Sequence, residues 1–472
     1  MIIDGKNVSS QRTFEVVNPY TREKVCTVPL ATPEHVQQAL KLSYETRSRL
    51  SSSERSITLK DIASKLQKQK KDFAALITAE SGLCIKDTMH EVDRAAEAAI
   101  CSAKVAEIIE NDTTNDYLLG SKKQKPELKV VTEPWDLVVA ITPFNHPLNQ
   151  VAHKVFPAIA AGACVVLKPS LKTPLTAIKL GHLLLEAGLE KNMLNIITGV
   201  PACEVTDQMV TSPLVDMVTF TGSLQTGRYI KNKMCESGNT FKKFVPELGG
   251  CSSLIINDDA DIARSVKEVL RGCFKNSGQR CTAIRRIIVL NSIANEFVNA
   301  FLEEARSITY GNPYDENVDM GTVISEDAAK IFEQRVNDSV KDGAKLLLGN
   351  KREGSLYSPT ILDYVNINSE LVAKETFAPI APIIRTDNID DAISLANTTN
   401  YRLAGGIMTK KREIAERVSR ALVVGQFNWN GFPSYRTEAA PFGGFKDSGS
   451  GEKEGTVLAA FGMRRIRTFY EH

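Results

Sequence analysis

The stretch VVAITPFNHPLNQVAHKVFPAIAAGACVVLK, residues 138–168, holds a β-branched run, a helical run with apolar residues three and four apart, and a second β-branched run. Strand, crossover helix and strand are the unit from which parallel sheets are built. The pattern recurs. LNIIT (194–198) and MVTFT (217–221) follow, separated by helical stretches such as TPLTAIKLGHLLLEAG, so a doubly wound α/β sheet is expected after Trp135. Ligands bind such sheets beyond the carboxyl ends of the strands, which directs attention to the residues just after each run. Upstream, residues 31–114 read as helix through HVQQALKLSYETRSRL and SITLKDIASKLQKQKKDFAALITAESG. A second alternating block runs from SSLIIN (252–257) through RRIIVL, KLLLG, APIIR and GGIMT. The expected division is one α/β unit over 1–115 and 136–247 and another over 248–445. DYLLGSKKQKPELKVVTEPW (116–135) and the closing segment 446–472 fit neither. Two edge strands forming a β oligomerisation arm is one reading; a mobile surface hairpin is the other.

The 472 residues are 43% hydrophobic and 24% charged, and 58 Lys+Arg against 56 Asp+Glu leave a net charge of +2. That balance gives no reason to expect a nucleic-acid or membrane partner. The longest apolar runs, such as IAAGACVVL (159–167), fall short of the roughly 20 residues a spanning helix needs. The amino terminus lacks the order of a secretory signal, so a cytoplasmic location is expected. The nine cysteines are scattered and never at metal-ligand spacing, so no metal is expected and most thiols read as small buried hydrophobes.

One cysteine stands apart. In KNSGQRCTA (275–283) a helical stretch breaks into a Ser-Gly turn that delivers Cys281 just before a strand. A cysteine on such a loop, with Arg280 beside it, can hold a reactive thiolate. TPFNHP (142–147) follows the strand VVAIT, which would project Asn145 at the sheet's carboxyl edge as a donor to an oxyanion. PELGG (246–250) ends an apolar run at Glu247, a carboxylate before two glycines that permit close approach. FTGS (220–223) with Gly227 puts a small-residue turn at the start of the next helix, a platform for pyrophosphate. Singly, each segment also has a bland reading as a core thiol, a turn Asn, a capping Glu or a plain turn.

Taken in order, TPFNHP, VVLKPS, FTGS, ELGG, GQRC, KETFAP (374–379) and PFGGFKDSG (441–449) resemble the aldehyde dehydrogenase superfamily along nearly the whole chain. The resemblance implies a nicotinamide domain, a catalytic domain and a bridging arm, assembled as homodimers or homotetramers. It implies that Cys281 is the nucleophile, that Asn145 with the Cys281 N–H forms the oxyanion hole, and that Glu247 is the general base. For the cofactor, NAD or NADP, it points to Thr142, Phe144, Lys168, Ser170, Gly222, Ser223, Leu248, Glu375 and Phe377. Lys168 is similar to the lysine that holds the adenosine ribose, and Glu375 and Phe377 to the pair that grips the nicotinamide ribose.

Departures are informative. Many NAD-dependent members carry Glu where this chain has Leu171, and its loss beside Lys168, Ser170 and Lys172 leaves NADP open. Ala378 and Pro201 replace two of the family's usual glycines. Near the cysteine the pattern is cationic: Arg280, His146, Arg436 and, on a helix, Arg94. Guanidinium groups recognise phosphonate, sulfonate, phosphate or carboxylate through forked bonds, so a small anionic aldehyde is expected. ITPFNHPLNQVAHK, KNSGQRCTAIRR, YSPT and SYR together look most like phosphonoacetaldehyde dehydrogenases, in phosphonate metabolism. Lactaldehyde, glyceraldehyde-3-phosphate or sulfonated-aldehyde dehydrogenase is the alternative; a coenzyme A-acylating enzyme or an inactive relative stands behind these.

Overall fold

A computed structural model describes residues 1–471 except 47, 49, 112–126, 201–203 and 239–240. Two seven-stranded sheets organise it. The first runs, in spatial order, Lys243–Glu247, Met217–Thr221, Leu137–Ile141, Cys164–Lys168, Leu194–Ile196, Ile2–Ile3 and Lys6–Asn7. Its first five strands are parallel, while the two amino-terminal strands add antiparallel at the edge. Leu137–Ile141 and Cys164–Lys168 are buried at every position, as expected of apolar runs covered on both faces. From Leu137–Ile141 the chain winds outward one way, then returns to pair Met217–Thr221 on the other side. Those two strands therefore flank a topological switch point, where a crevice opens beyond the carboxyl ends.

The second sheet runs Lys345–Leu348, Thr360–Asp363, Ile380–Thr386, Ile284–Leu290, Ser252–Ile256, Ala404–Met408 and Gln426–Trp429. All neighbours are parallel except the first pair. One large apolar cluster wraps the first sheet, and two clusters contain residues of the second. The expected helical region resolves into Pro33–Thr46, Ser52–Lys68, Lys70–Ser81 and Ile85–Asn111. Ser51 and Glu54 close a reciprocal cap at the start of the second of these, which places its first residue.

Glu127–Pro134 pairs antiparallel with Arg464–Glu471, leaving Ile466, Phe469 and Tyr470 exposed. Residues 116–126 of the expected arm lie outside the described residues, as does Pro201. The helix Thr456–Gly462, which the sequence reading grouped with the arm, sends Ala460 and Met463 beyond it into the first core. Its apolar face needs that cover. Among the described residues, no helix is long and apolar enough to cross a membrane.

Candidate active site

A cavity of about 350 Å³ opens between the sheets and is lined by Asn145, His146, Arg280, Cys281, Arg436 and Arg94, among others. The first sheet meets it through loops that follow strands. The second meets it through the loop that precedes Ile284–Leu290 and through residues 432–438, which follow Gln426–Trp429. Cys281 lies three residues before Ile284–Leu290, and Glu375 lies ahead of Ile380–Thr386.

The helix Ile262–Phe274 ends at a turn in which Asn276, Ser277 and Gly278 take φ of 60°, 51° and 67°. Three consecutive left-handed residues are unfavourable and need outside support. Arg285 supplies it: this fully buried guanidinium donates to the carbonyls of Gly278 and Arg280, and at 2.6 Å to that of Ala378. A side chain at Gly278 would overlap the Ala378 carbonyl, and one at Gly250 the Cys281 carbonyl. Of the two glycines after Glu247, Gly250 thus allows the Cys281 loop to close on the first sheet, and Gly249 leaves room for Glu375.

Burial pushes the Cys281 thiol up to about 12, and Glu375 and Glu247 push the same way, against Arg436 and Arg280. So placed, the group favours its thiol form and needs a base to ionise it. Glu247 is 2% exposed, and both its carboxyl oxygens are buried without hydrogen-bond partners. Burial first, then the charge of Glu454, raises it well above the usual carboxylate range, against Lys154, Lys453 and Arg436. Such a carboxylate takes up a proton more readily than a solvated one. It shares a narrow cavity with Cys281, His153, Arg436 and Glu454. Behind it lies a network that sequence reasoning missed. Lys154 donates to Thr219 Oγ1 at 2.7 Å and to Glu454 at 2.5 Å, across 300 residues of chain. Asn145 Nδ2 donates to the Gln279 carbonyl at 2.9 Å, two residues before the cysteine, and its second N–H is available to an oxyanion.

The cationic residues divide. Arg280 turns away from the cavity centre, donating to the Arg271 and Gly272 carbonyls at 2.7 and 3.2 Å, because the last turn of a helix leaves carbonyls without donors. Arg94 is held by Glu438, Nε to Oε1 at 2.6 Å. His146 is no cation: burial, then Arg94, Arg280, Arg436 and Lys275, lower it well below its ordinary value, and Nδ1 lies 2.6 Å from the Asn145 carbonyl. Arg436 differs from all three. Its guanidinium packs 4.2 Å from the Phe442 ring centre, and Nη1 is buried without a hydrogen-bond partner.

The residues assigned to the cofactor lie along the first sheet's carboxyl edge. At the lips of the switch-point crevice the hydroxyls of Thr142 and Thr221 are buried and unpartnered, which fits a polar ligand there. Ser223 caps the helix Leu224–Glu236 by accepting from Thr226 N, so that helix's positive end faces the same crevice. Gly222 abuts the Phe220 ring, and Leu248 is buried with its N–H on the Ser448 carbonyl. Ser170 accepts from Lys172 N, and Lys168 is 4% exposed. From the second unit, Glu375 accepts the Gly250 N–H at 2.9 Å, and Phe377 meets Phe144 edge-on at 6.0 Å. Leu171 is buried against Val16 and Val28, an apolar position.

A family profile described as the aldehyde dehydrogenase family matches residues 7–465. The chain is 35% identical over 468 residues to a 3-sulfolactaldehyde dehydrogenase of Priestia aryabhattai, covering 99% of this chain and 96% of that one. It is 35% identical over 477 residues to a lactaldehyde dehydrogenase of Methanococcus aeolicus, covering 99% of each. The solved structure of betaine aldehyde dehydrogenase from Staphylococcus aureus, in complex with NAD+, superposes with a TM-score of 0.92 at 31% identity, over 100% of this chain and 94% of that one.

Proposed function

The chain belongs to the aldehyde dehydrogenase family, and from that premise we propose that it oxidises a small anionic aldehyde to the carboxylic acid through a thioester on Cys281. The observation that carries this reading is the buried, unpaired carboxylate of Glu247 opening onto the same cavity as the Cys281 thiol. Glu247 takes the thiol proton. Cys281 Sγ then adds to the aldehyde carbon, and the oxygen that gains charge is met by Asn145 Nδ2–H and the Cys281 N–H. Collapse of that adduct expels hydride from carbon and leaves the thioester. Bound nicotinamide supplies the hydride acceptor. Glu247, once its first proton has passed to solvent, deprotonates a water that attacks the thioester and returns that proton to the departing sulfur, releasing acid and restoring the thiol.

In this reading Thr142, Thr221 and Ser223 face the pyrophosphate side of the cofactor, Lys168 the adenosine ribose, and Glu375 with Phe377 the nicotinamide ribose. NAD is usable, and with Leu171 in place of a carboxylate, discrimination against NADP is modest. The first unit holds the cofactor and the second the nucleophile. The ribbon of Glu127–Pro134 and Arg464–Glu471, with Ile466, Phe469 and Tyr470 outward, joins subunits into a homodimer or homotetramer in the cytoplasm.

For the substrate, the open guanidinium of Arg436 supports an anion. The sequence pattern favours phosphonoacetaldehyde, but the relatives above are sulfolactaldehyde and lactaldehyde dehydrogenases, so a sulfonated or hydroxylated three-carbon aldehyde now stands first. The test is a panel of sulfolactaldehyde, lactaldehyde, phosphonoacetaldehyde and glyceraldehyde 3-phosphate, each with NAD and NADP, with and without coenzyme A. The reading expects the highest kcat/KM for an anionic three-carbon aldehyde, independent of coenzyme A. A requirement for coenzyme A, or a preference for neutral long-chain aldehydes, contradicts it.

A further inference from the structure

His153 lies on the helix Asn149–Ala161, 4% exposed, with one ring nitrogen engaged and the other open. Its Nε2 is hydrogen-bonded to the Glu438 carboxylate. Arg94 binds that carboxylate at 2.6 Å. Burial opposes charge on Glu438, but His153, Arg94 and Arg436 outweigh it and hold the group far below the usual carboxylate range. An ionised carboxylate can only accept, so the proton of the His153 ring sits on Nε2. Burial keeps the ring neutral, helped by Arg436 and Arg94 against Glu438. A neutral ring with Nε2 protonated presents Nδ1 as an acceptor alone.

That Nδ1 is buried and has no hydrogen-bond partner. Leaving a buried acceptor unpaired is costly, and a ligand that brings a donor removes the cost. His153 lines the narrow cavity with Cys281, Glu247, Gln150, Arg436 and Phe442, four of which also line the main pocket. At about 10 Å³ this space takes one hydroxyl or one water. The carbon attached at Cys281 is C1 of the aldehyde, so the group one bond away is C2, and an anion beyond it would meet Arg436.

We propose that His153 Nδ1 accepts a hydrogen bond from a hydroxyl at C2 of the substrate, making this enzyme selective for 2-hydroxy aldehydes. The chain Arg94, Glu438, His153 then explains why Arg94 is engaged: it fixes the tautomer that reads the hydroxyl. The inference rests on Cys281 being the nucleophile, yet it is independent of the substrate's charge.

Lactaldehyde and propanal share three carbons and carry no charge, so their kcat/KM ratio isolates the hydroxyl from Arg436. The wild-type enzyme is expected to favour lactaldehyde by on the order of tenfold or more. His153→Phe should bring that ratio close to one by lowering lactaldehyde considerably more than propanal. His153→Gln, whose amide can donate to Glu438 and accept from the hydroxyl, should keep most of the preference. Equal losses on both aldehydes would assign the cavity to the attacking water or to packing and overturn the proposal. A wild-type preference for propanal overturns it whatever the variants do. Failure to oxidise either aldehyde would overturn the proposal, while turnover of an anionic aldehyde by the same protein would show that the Cys281 reading stands without it.

Discussion

The two sheets reach the site from opposite ends, and they hold their residues by different means. Asn145 follows the fully buried strand Leu137–Ile141 of the first sheet, and Glu247 is the last residue of its strand Lys243–Glu247, paired with Thr221, so strand backbone fixes both. Cys281 and Glu375 sit before amino ends of the second, on loops whose shape is not set by the strand that follows. There the fixing is done by side chains. Arg285 joins the Gly278 and Arg280 carbonyls to that of Ala378, and Arg335 donates to the Glu375 carbonyl and Thr376 Oγ1, both at 2.9 Å. The difference teaches that the proposed base and oxyanion donor are held by strand backbone, whereas the proposed nucleophile depends on a few buried guanidiniums.

Perturbing the strand-held edge should affect chemistry without disturbing placement. Glu247→Gln is expected to lower steady-state turnover by roughly a hundredfold or more, and a slowed first burst of reduced nicotinamide survives only at alkaline pH, where solvent base can ionise the Cys281 thiol, measured by stopped-flow absorbance. Glu247 acts as a base only when deprotonated, and burial beside Glu454 raises its proton affinity. Wild-type kcat/KM should therefore climb with pH from the ordinary carboxylate range upward, and that climb should be absent from the variant. A wild-type steady-state rate in the variant would make Glu247 structural.

Arg436→Met touches the substrate side. A charge-assisted bond is worth about 1.5 to 3 kcal/mol, so kcat/KM for an anionic aldehyde should fall roughly ten- to more than a hundredfold. A neutral aldehyde of the same size should change little. Equal losses would show that Arg436 supports its loop rather than a ligand.

On the stapled edge, Arg285→Lys keeps the charge but cannot span three carbonyls. The expected result is about a tenfold drop in kcat, with faster hydrogen exchange confined to 275–281 and 374–379. Unchanged exchange in both loops would break the contrast between the edges.

Leu171→Glu should have the smallest effect. It places a carboxylate against Val16 and Val28, so part of any repulsion of a 2′-phosphate is lost to burial, and the NAD to NADP ratio should rise only a fewfold. A constant ratio would mean that selectivity is set elsewhere.

The contrast also explains what could be read from the chain. Apolar runs such as VVAIT and CVVLK are visible as buried parallel strands; the loop after VVAIT carries Asn145, and Glu247 closes the later strand Lys243–Glu247. Ile2–Ile3 and Lys6–Asn7 are too short to show a period, and they pair far along the sequence, Ile2 with Ile196. Cys281 was legible because Ser-Gly breaks a strong helical pattern. The direction of Arg280 was not, since it is decided by open carbonyls one helix turn away. Lys154 and His153 look like ordinary positions of an apolar helix. Only folding brings Glu454 and Glu438 to them across 300 and 285 residues.

The most direct measurement follows the thioester itself. The Glu247→Gln protein would be mixed, at an alkaline pH where solvent base ionises the Cys281 thiol, with cofactor and an aldehyde it oxidises, quenched in acid within the burst, and its peptides weighed by mass spectrometry. The account predicts one acyl group per burst equivalent, on the peptide carrying Cys281, and neither burst nor adduct once Cys281→Ala is added to a protein that still folds. A burst without an adduct, or an acyl group on another residue, would contradict it.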